Sequence, residues 1–285
     1  MIKIGLTGWG DHPSIYRTNS TRRDKLFDYT GHFPIVELDT SFYAIPAQQN
    51  IEKWVNETPD SFQFIVKAYQ GMTGHLRDDN PYETRNEMFE AFRQCASAFQ
   101  NANKLAMILV QFPPWFDCSL KNVNYIRYVK QQLAEFPIAV EFRNRTWYSA
   151  ERKDETIRFL KEHGFIHTVC DEPQAGVGSV PFVGEASHEK ALVRIHGRNV
   201  YGWRNSGSTE NWREVRFLYD YNEEELTDLA NKIRNLEKLC SEVFVLFNNN
   251  SGHHAADNAK TLQRMMDIDF DGLSPKQLDL FGGEF

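Results

Sequence analysis

A chain of 285 residues with 41% hydrophobic and 25% charged side chains is long enough to bury one large core and has the composition of an ordinary globular protein. Its formal charge of -7 and pI near 5.7 exclude bulk electrostatic coating of nucleic acid or an anionic membrane, so any anion site must be local. The cysteines Cys95, Cys118, Cys170 and Cys240 form no Cys-x-x-Cys pair, which argues against a disulfide framework or a zinc knuckle. There is also no secretory n-region and h-region, and no apolar run near the ~20 residues that span a bilayer. These features predict a cytoplasmic protein with reduced thiols and no membrane contact.

Taken in order, strand-like and helical patterns alternate along the chain. Ile2 to Thr7 reads as a strand, and Thr21 to Tyr29 as a helix that Thr21 caps. Ile35 to Phe42 is a second strand with a helical pattern from Ala47 to Glu57 behind it. Phe62 to Ala68 is a third, followed by a helix from Tyr82 to Ala102. Leu105 to Phe112 is a fourth, stopped by Pro113 and Pro114 and followed by a helix from Leu120 to Ala134. The stretch Ile138 to Tyr148, IAVEFRNRTWY, begins as a fifth strand, with a helix from Ala150 to His163. Ile166 to Asp171 is the sixth, Ala191 to His196 the seventh and Val243 to Phe247 the eighth; Glu223 to Leu239 and Ala255 to Met266 read as the last helices. Eight apolar runs, most of them followed by a helix, indicate parallel βαβ units and favour a single closed (β/α)8 TIM barrel in the α/β class over an open sheet. The sixth unit is degenerate, because Glu172 to Lys190 is rich in Gly and Pro and has no helical period. The barrel is assigned to residues 1-270 and a short tail to 271-285.

Side chains alternate faces along a strand, so parity shows what each strand delivers to its C-terminal end. Glu37 and Asp39 share a face, as do Ile65 and Lys67, Leu109 and Gln111, Glu141 and Arg143, and Arg194, His196 and Arg198. Asp171 closes the sixth strand, and Asn248, Asn249 and Asn250 end the eighth. If these faces point inward, the mouth carries acids, bases and amides, and such buried charge is tolerated only when paired. The bland alternative is an ion-pair network that merely closes the barrel top.

The motifs GLTGW near the start, VELDTSFY at 36-43, FQFIVKAYQGMTGH at 62-75, LVQFPPWF at 109-116, AVEFRNRTWY at 139-148, DEP at 171-173, VRIHGRN at 193-199 and FNNNSGHHAADNAKTL at 247-262 span the chain. Together they resemble the family known as domain of unknown function 72, or YecE-like. The resemblance implies a TIM barrel with a polar site but no established activity. Asp39 stands where relatives commonly carry Asn, and there is an extra His beside His253.

Trp9, Trp115, Trp147, Trp203 and Trp212 follow strands, where they either stack on a flat ligand or plug the loops. The segment from Arg198 to Arg216 holds four Arg against Glu210 and Glu214, a local +2 in an acidic chain. Loops after strands seven and eight are the usual phosphate site of barrels. The sequence therefore offers Glu141, Asp171 and His196 as catalytic residues, with Glu141 or Asp171 as general base or acid and His196 as proton shuttle. Asp39, Tyr43, Lys67, Gln111, Arg143, Trp147, Arg194, Arg198, Asn248 and Asn249 are the candidates for binding a phosphorylated small molecule or nucleic acid. A divalent metal (Mg, Mn or Zn) on Glu37, Asp39, Glu141, Asp171 and His196 is the weaker option, because no compact signature such as His-Glu-x-x-His occurs. Barrel glycosidase chemistry is disfavoured, since the ends of strands four and seven hold Gln111 and His196 rather than two carboxyls.

The tail contains QLDLF, with Gln277, Leu278, Leu280 and Phe281 behind Pro275. It resembles the pentapeptide by which bacterial polymerases and repair proteins dock on the DNA sliding clamp; alternatively, its apolar groups fold back on the barrel. The sequence thus predicts a hydrolase acting on a phosphoester or a base lesion in DNA repair. The alternative is a non-catalytic, anion-binding accessory of the clamp.

Overall fold

The computed structural model describes residues 1-76, 80-204 and 215-276. In chain order they form β1 (Ile2–Thr7), α1 (Lys25–Thr30), β2 (Ile35–Leu38), α2 (Thr40–Tyr43), α3 (Gln48–Asn56), β3 (Gln63–Lys67), α4 (Gln70–Thr73), α5 (Arg85–Asn101), β4 (Leu105–Gln111) and α6 (Leu120–Gln132). There follow β5 (Ile138–Glu141), α7 (Lys153–Glu162), β6 (Ile166–Asp171), β7 (Lys190–Ile195), α8 (Val200–Arg204), α9 (Glu223–Glu237), β8 (Glu242–Phe247) and α10 (His254–Met265). The eight strands pair in parallel in sequential order and close between β8 and β1, from Ile2 beside Val243 to Leu6 beside Phe247. The chain is a TIM barrel. Its sixth unit departs as the sequence predicts, with β6 running to β7 through an irregular segment and no intervening helix.

Two apolar shells follow from strand parity. Outward residues such as Ile4, Leu6, Val36, Phe64, Val66, Ile108 and Val110 pack under the helices. Inward residues Ile35, Ile65, Met107, Leu109, Ala139, Ile166, Leu192, Phe244 and Leu246 fill the barrel at mid-height. Gly5 is needed for that filling, because a Cβ there would stand 2.2 Å from the Ile35 carbonyl oxygen. Below this layer Lys3 bonds Gln63 and Glu242, closing the N-terminal end. Above it, the next inward residue of each strand is charged or polar.

Local chemistry shortens several elements relative to the sequence pattern. The second strand stops at Leu38 rather than Phe42, because Asp39 turns to helical dihedrals and the Ser41 hydroxyl bonds the carbonyls of both Leu38 and Lys67. The first helix starts at Lys25 rather than Thr21, whose amide and hydroxyl both donate to Asp24. After β5, the Asn144 carboxamide accepts from the Thr146 amide and opens a short 3-10 turn over Arg145–Tyr148. Arg145 is thereby turned out of the barrel, toward Gln174 and Ser179.

Candidate functional site

The C-terminal mouth is built by continuing the inward face of each strand. Two residues above Ile35, Ile65, Leu109, Ala139, Leu192 and Leu246 stand Glu37, Lys67, Gln111, Glu141, Arg194 and Asn248. Arg194 is the hub, at 1% exposure. Its Nε and Nη2 donate to the two Glu37 oxygens at 2.9 and 2.7 Å, and its Nη1 donates to Glu141 Oε2 at 2.7 Å and to Gln111 Oε1 at 3.1 Å. A planar fork with five donors suits this bridging role better than a lysine.

Arg143 forms a second hub beside the first. Its Nη1 lies 3.0 Å from Glu141 Oε1 and 3.1 Å from His196 Nε2, and its Nη2 lies 3.1 Å from Glu172 Oε2. Its Nε is buried with no hydrogen-bond partner among the described residues. Trp203 covers this guanidinium at 4.8 Å and carries Arg216 at 4.0 Å from its ring. His196 Nδ1 faces the Asn248 amide at 2.9 Å, and Nε2 is 3.4 Å from Glu141 Oε1.

These surroundings separate the titrating groups. Burial by itself raises the Glu141 carboxyl, but Arg194, His196 and Arg143 together hold it well below the usual range. Burial raises Glu37 against the pull of Arg194 and Lys67. Burial also pushes Glu172 up to about 7, opposed by Arg143 and by the Val180 amide that donates to it. His196 is lowered to about 3 by burial and the neighbouring Arg143, so its imidazole is neutral. Burial and repulsion from Arg143 bring Arg216 down to about 9. Lys67 donates to Asp39 at 2.7 Å and outweighs the effect of burial there, so the Asp39 carboxyl lies below its ordinary value.

The structure brings Glu37, Lys67, Gln111, Glu141, Arg143, Arg194, His196 and Asn248 together, with Asp39 on the rim. Several placements expected from the sequence need correction. Strand β6 points Cys170 inward, its thiol grouped with Glu141 and His196, so Asp171 faces the other way. Asp171 is gripped there by Nε and Nη2 of Arg198 at 2.9 and 2.8 Å and by the Tyr221 hydroxyl at 2.6 Å. Arg198 also meets Glu225, which commits both residues to bracing the loop after β7 against α9. Trp147 does not line the mouth: it is 1% exposed, stacks on Phe142 at 4.0 Å and donates to the Phe116 carbonyl. Asn249 is buried outside the barrel and bonds the Tyr219 carbonyl and Asn258. Tyr43 lies on the rim, 52% exposed and edge-on to Phe42.

The five metal candidates are not gathered as a set. Glu37 is engaged by Arg194, Asp39 by Lys67 and Asp171 by Arg198, which leaves Glu141 and His196 adjacent. Glu141, Cys170 and His196 place one donor atom each within 4.8 Å of one another. Two guanidiniums already occupy Glu141, and burial holds the Cys170 thiol well above its ordinary value, so the donor set fits a divalent ion poorly. Trp212, Gln277, Leu278, Leu280 and Phe281 lie outside the described residues. Sequence reasoning gave Glu172 and Cys170 no role in the site, while it marked Trp203 as a stacking or loop-plugging residue and Arg216 as part of the arginine-rich segment after β7. Parity counted from Ile166 marks Cys170 and Glu172, whereas the stacking of Arg143 and Arg216 on Trp203 is visible only in the fold.

The fold and this mouth define an α/β barrel protein with a buried acid-arginine network at the end where barrels carry their chemistry. The family model described as "Protein of unknown function DUF72" matches residues 3-279, and the chain belongs to that family. It is 56% identical to the UPF0759 protein YunF of Bacillus subtilis (strain 168) over 282 residues, 99% of this chain and all of that protein. It is 39% identical to the UPF0759 protein YecE of Escherichia coli (strain K12) over 205 residues, 69% of each chain. Among solved structures, a DUF72 family protein from Enterococcus faecalis V583 superposes with a TM-score of 0.90 at 36% identity, covering 98% of this chain and all of that one. One from Thermotoga maritima MSB8 gives 0.79 at 30% identity, covering 94% and 100%.

Proposed function

We propose that this protein is a hydrolase acting on a phosphorylated or nucleic-acid substrate at the C-terminal mouth of the barrel. The observation that carries the reading is the arrangement on Arg143, where one guanidinium touches the ionised Glu141, the neutral His196 and Glu172, whose carboxyl is pushed up to about 7. Glu172 changes protonation near neutrality, which suits the group that takes a proton from an attacking water. The unpartnered Arg143 Nε and the Arg216 guanidinium above Trp203 offer positive charge for a phosphoryl oxygen. Glu141, fixed between two arginines, keeps Arg143 in place. Glu172 thus takes the proton-transfer role that the sequence pattern gave to Asp171.

The match of the mouth acids Glu37, Asp39 and Glu141 to cations favours a second reading, a non-catalytic anion-binding protein. In either case QLDLF at 277-281 is proposed to dock on the bacterial sliding clamp and place the protein at DNA in the cytoplasm; the sequence alone supports this part. Among the described residues no helix is long and apolar enough to cross a membrane.

The test is turnover of p-nitrophenyl phosphate, bis(p-nitrophenyl) phosphate and an oligonucleotide bearing an abasic site, by wild type and Glu172→Gln. Hydrolysis by wild type that falls at least a hundredfold in the variant, with the fold intact, supports the enzyme. Phosphate binding without turnover of any of the three supports the second reading. Titration against the clamp with and without residues 277-281 tests the docking step.

A further inference from the structure

A second cleft opens beside the mouth, between the chain that follows β3 and the chain that follows β4. Its volume is about 470 Å³, within the range that holds a small organic ligand. Tyr125 and Tyr128 from α6 form one wall, and Trp115 stands at its edge, 56% exposed. Arg85, the first residue of α5, and Lys121, from the first turn of α6, both line it, and no Asp or Glu is among its described lining residues. Among the described lining residues the cleft thus carries two cations and no acid, in a chain with a net charge of -7.

Aromatic rings also lead from the cleft to the charged mouth. Trp115 meets the His75 ring at 5.9 Å, His75 meets Phe42 at 5.1 Å, and Phe42 lies under the Lys67 ammonium at 4.7 Å. Gly74, in the left-handed region at φ 78°, turns the chain at the end of α4 and lines this side of the cleft. An exposed indole recognises a flat ring, and the paired cations recognise an anion attached to it.

We propose that this cleft is a binding site for a nucleoside monophosphate, with the base stacked on Trp115 and the phosphate held by Arg85 and Lys121. The site is separate from the Arg143 and Arg194 network and needs no turnover there. A volume of about 470 Å³ suits a small ligand, and the chain's net charge of -7 disfavours a longer nucleic-acid strand.

The experiment is calorimetric titration of the full chain with AMP, adenosine and inorganic phosphate, repeated with Trp115→Ala and Arg85→Ala/Lys121→Ala. All three positions are exposed, so the variants should keep the wild-type melting temperature, which controls for folding. AMP should bind more tightly than either of its halves. Loss of the indole should weaken AMP by roughly 5- to 150-fold, the usual range for removing a base-stacking aromatic. Loss of the two cations should weaken AMP while leaving adenosine unchanged. Glu172→Gln should bind AMP as wild type does, which separates this site from the proposed hydrolase chemistry. Absence of AMP binding, or AMP binding unchanged by Trp115→Ala, overturns the proposal. So does a deoxyadenosine decamer that binds where AMP does not, because the cleft would then be part of a strand groove.

Discussion

Replacing Arg194 by Met tests whether the barrel is held shut by its own charges. The variant keeps an unbranched apolar stem in place of the side chain and removes four hydrogen bonds, two to Glu37 and one each to Glu141 and Gln111. Glu141 retains Arg143 at 3.0 Å, whereas Glu37 retains Lys67 at 4.0 Å and a long hydrogen bond of 3.4 Å from the Thr7 hydroxyl, so Glu37 carries most of the loss. Removing one partner from a buried ion pair costs about 3–5 kcal/mol, and here a single cation serves two acids. For a chain of this size that corresponds to a fall in Tm on the order of 10 °C. The pH dependence has a definite sign. Burial already raises the Glu37 carboxyl with Arg194 in place, and without that cation it is raised further, so its contribution is fully present below about pH 4.5 and lost as pH rises. The deficit against wild type should therefore shrink between pH 7 and pH 5. Adding Glu37→Gln should restore part of the stability at pH 7. Urea unfolding of the three proteins at both pH values is the assay. A deficit under about 1 kcal/mol, or one independent of pH, would refute the assignment of Arg194 as the hub.

The remaining expectations concern packing and acid stability. Trp147→Ala should cost about 3–5 kcal/mol by emptying the stack with Phe142 and Phe116, and should leave phosphate and AMP binding unchanged in the folded fraction; altered binding would return Trp147 to the site. Burial lowers His12, His32 and His167 to about 4 and, together with Arg143, lowers His196 to about 3. Because the unfolded chain takes up these protons first, stability is complete above pH 6.5 and should fall as pH drops toward 4, with a slope steeper than one proton. A urea midpoint that stays flat between pH 6.5 and 4.5 would contradict this.

The sequence by itself determined the architecture. Eight short apolar runs can bury both faces only in a parallel sheet covered by helices, and the period of two along each run puts Glu37, Lys67, Gln111, Glu141, Arg194 and Asn248 on one inner surface. Parity also reaches Cys170 and Glu172 when counted from Ile166, yet the charge of Asp171 draws the eye to the opposite face. There Arg198 and Tyr221 hold it, through contacts 27 and 50 residues apart in the chain. Only the tertiary structure decided which acid meets which cation, because a strand pattern fixes direction but not the neighbour across the barrel. Arg194 reaches Glu37 over 157 residues and Glu141 over 53. The value near 7 on Glu172 and the neutral His196 follow from that assembly, since burial and opposing charge act through space and leave no trace in local composition. Trp147 and Trp115 are alike as residues in the sequence. Packing puts one inside an aromatic stack and leaves the other at the edge of a cationic cleft.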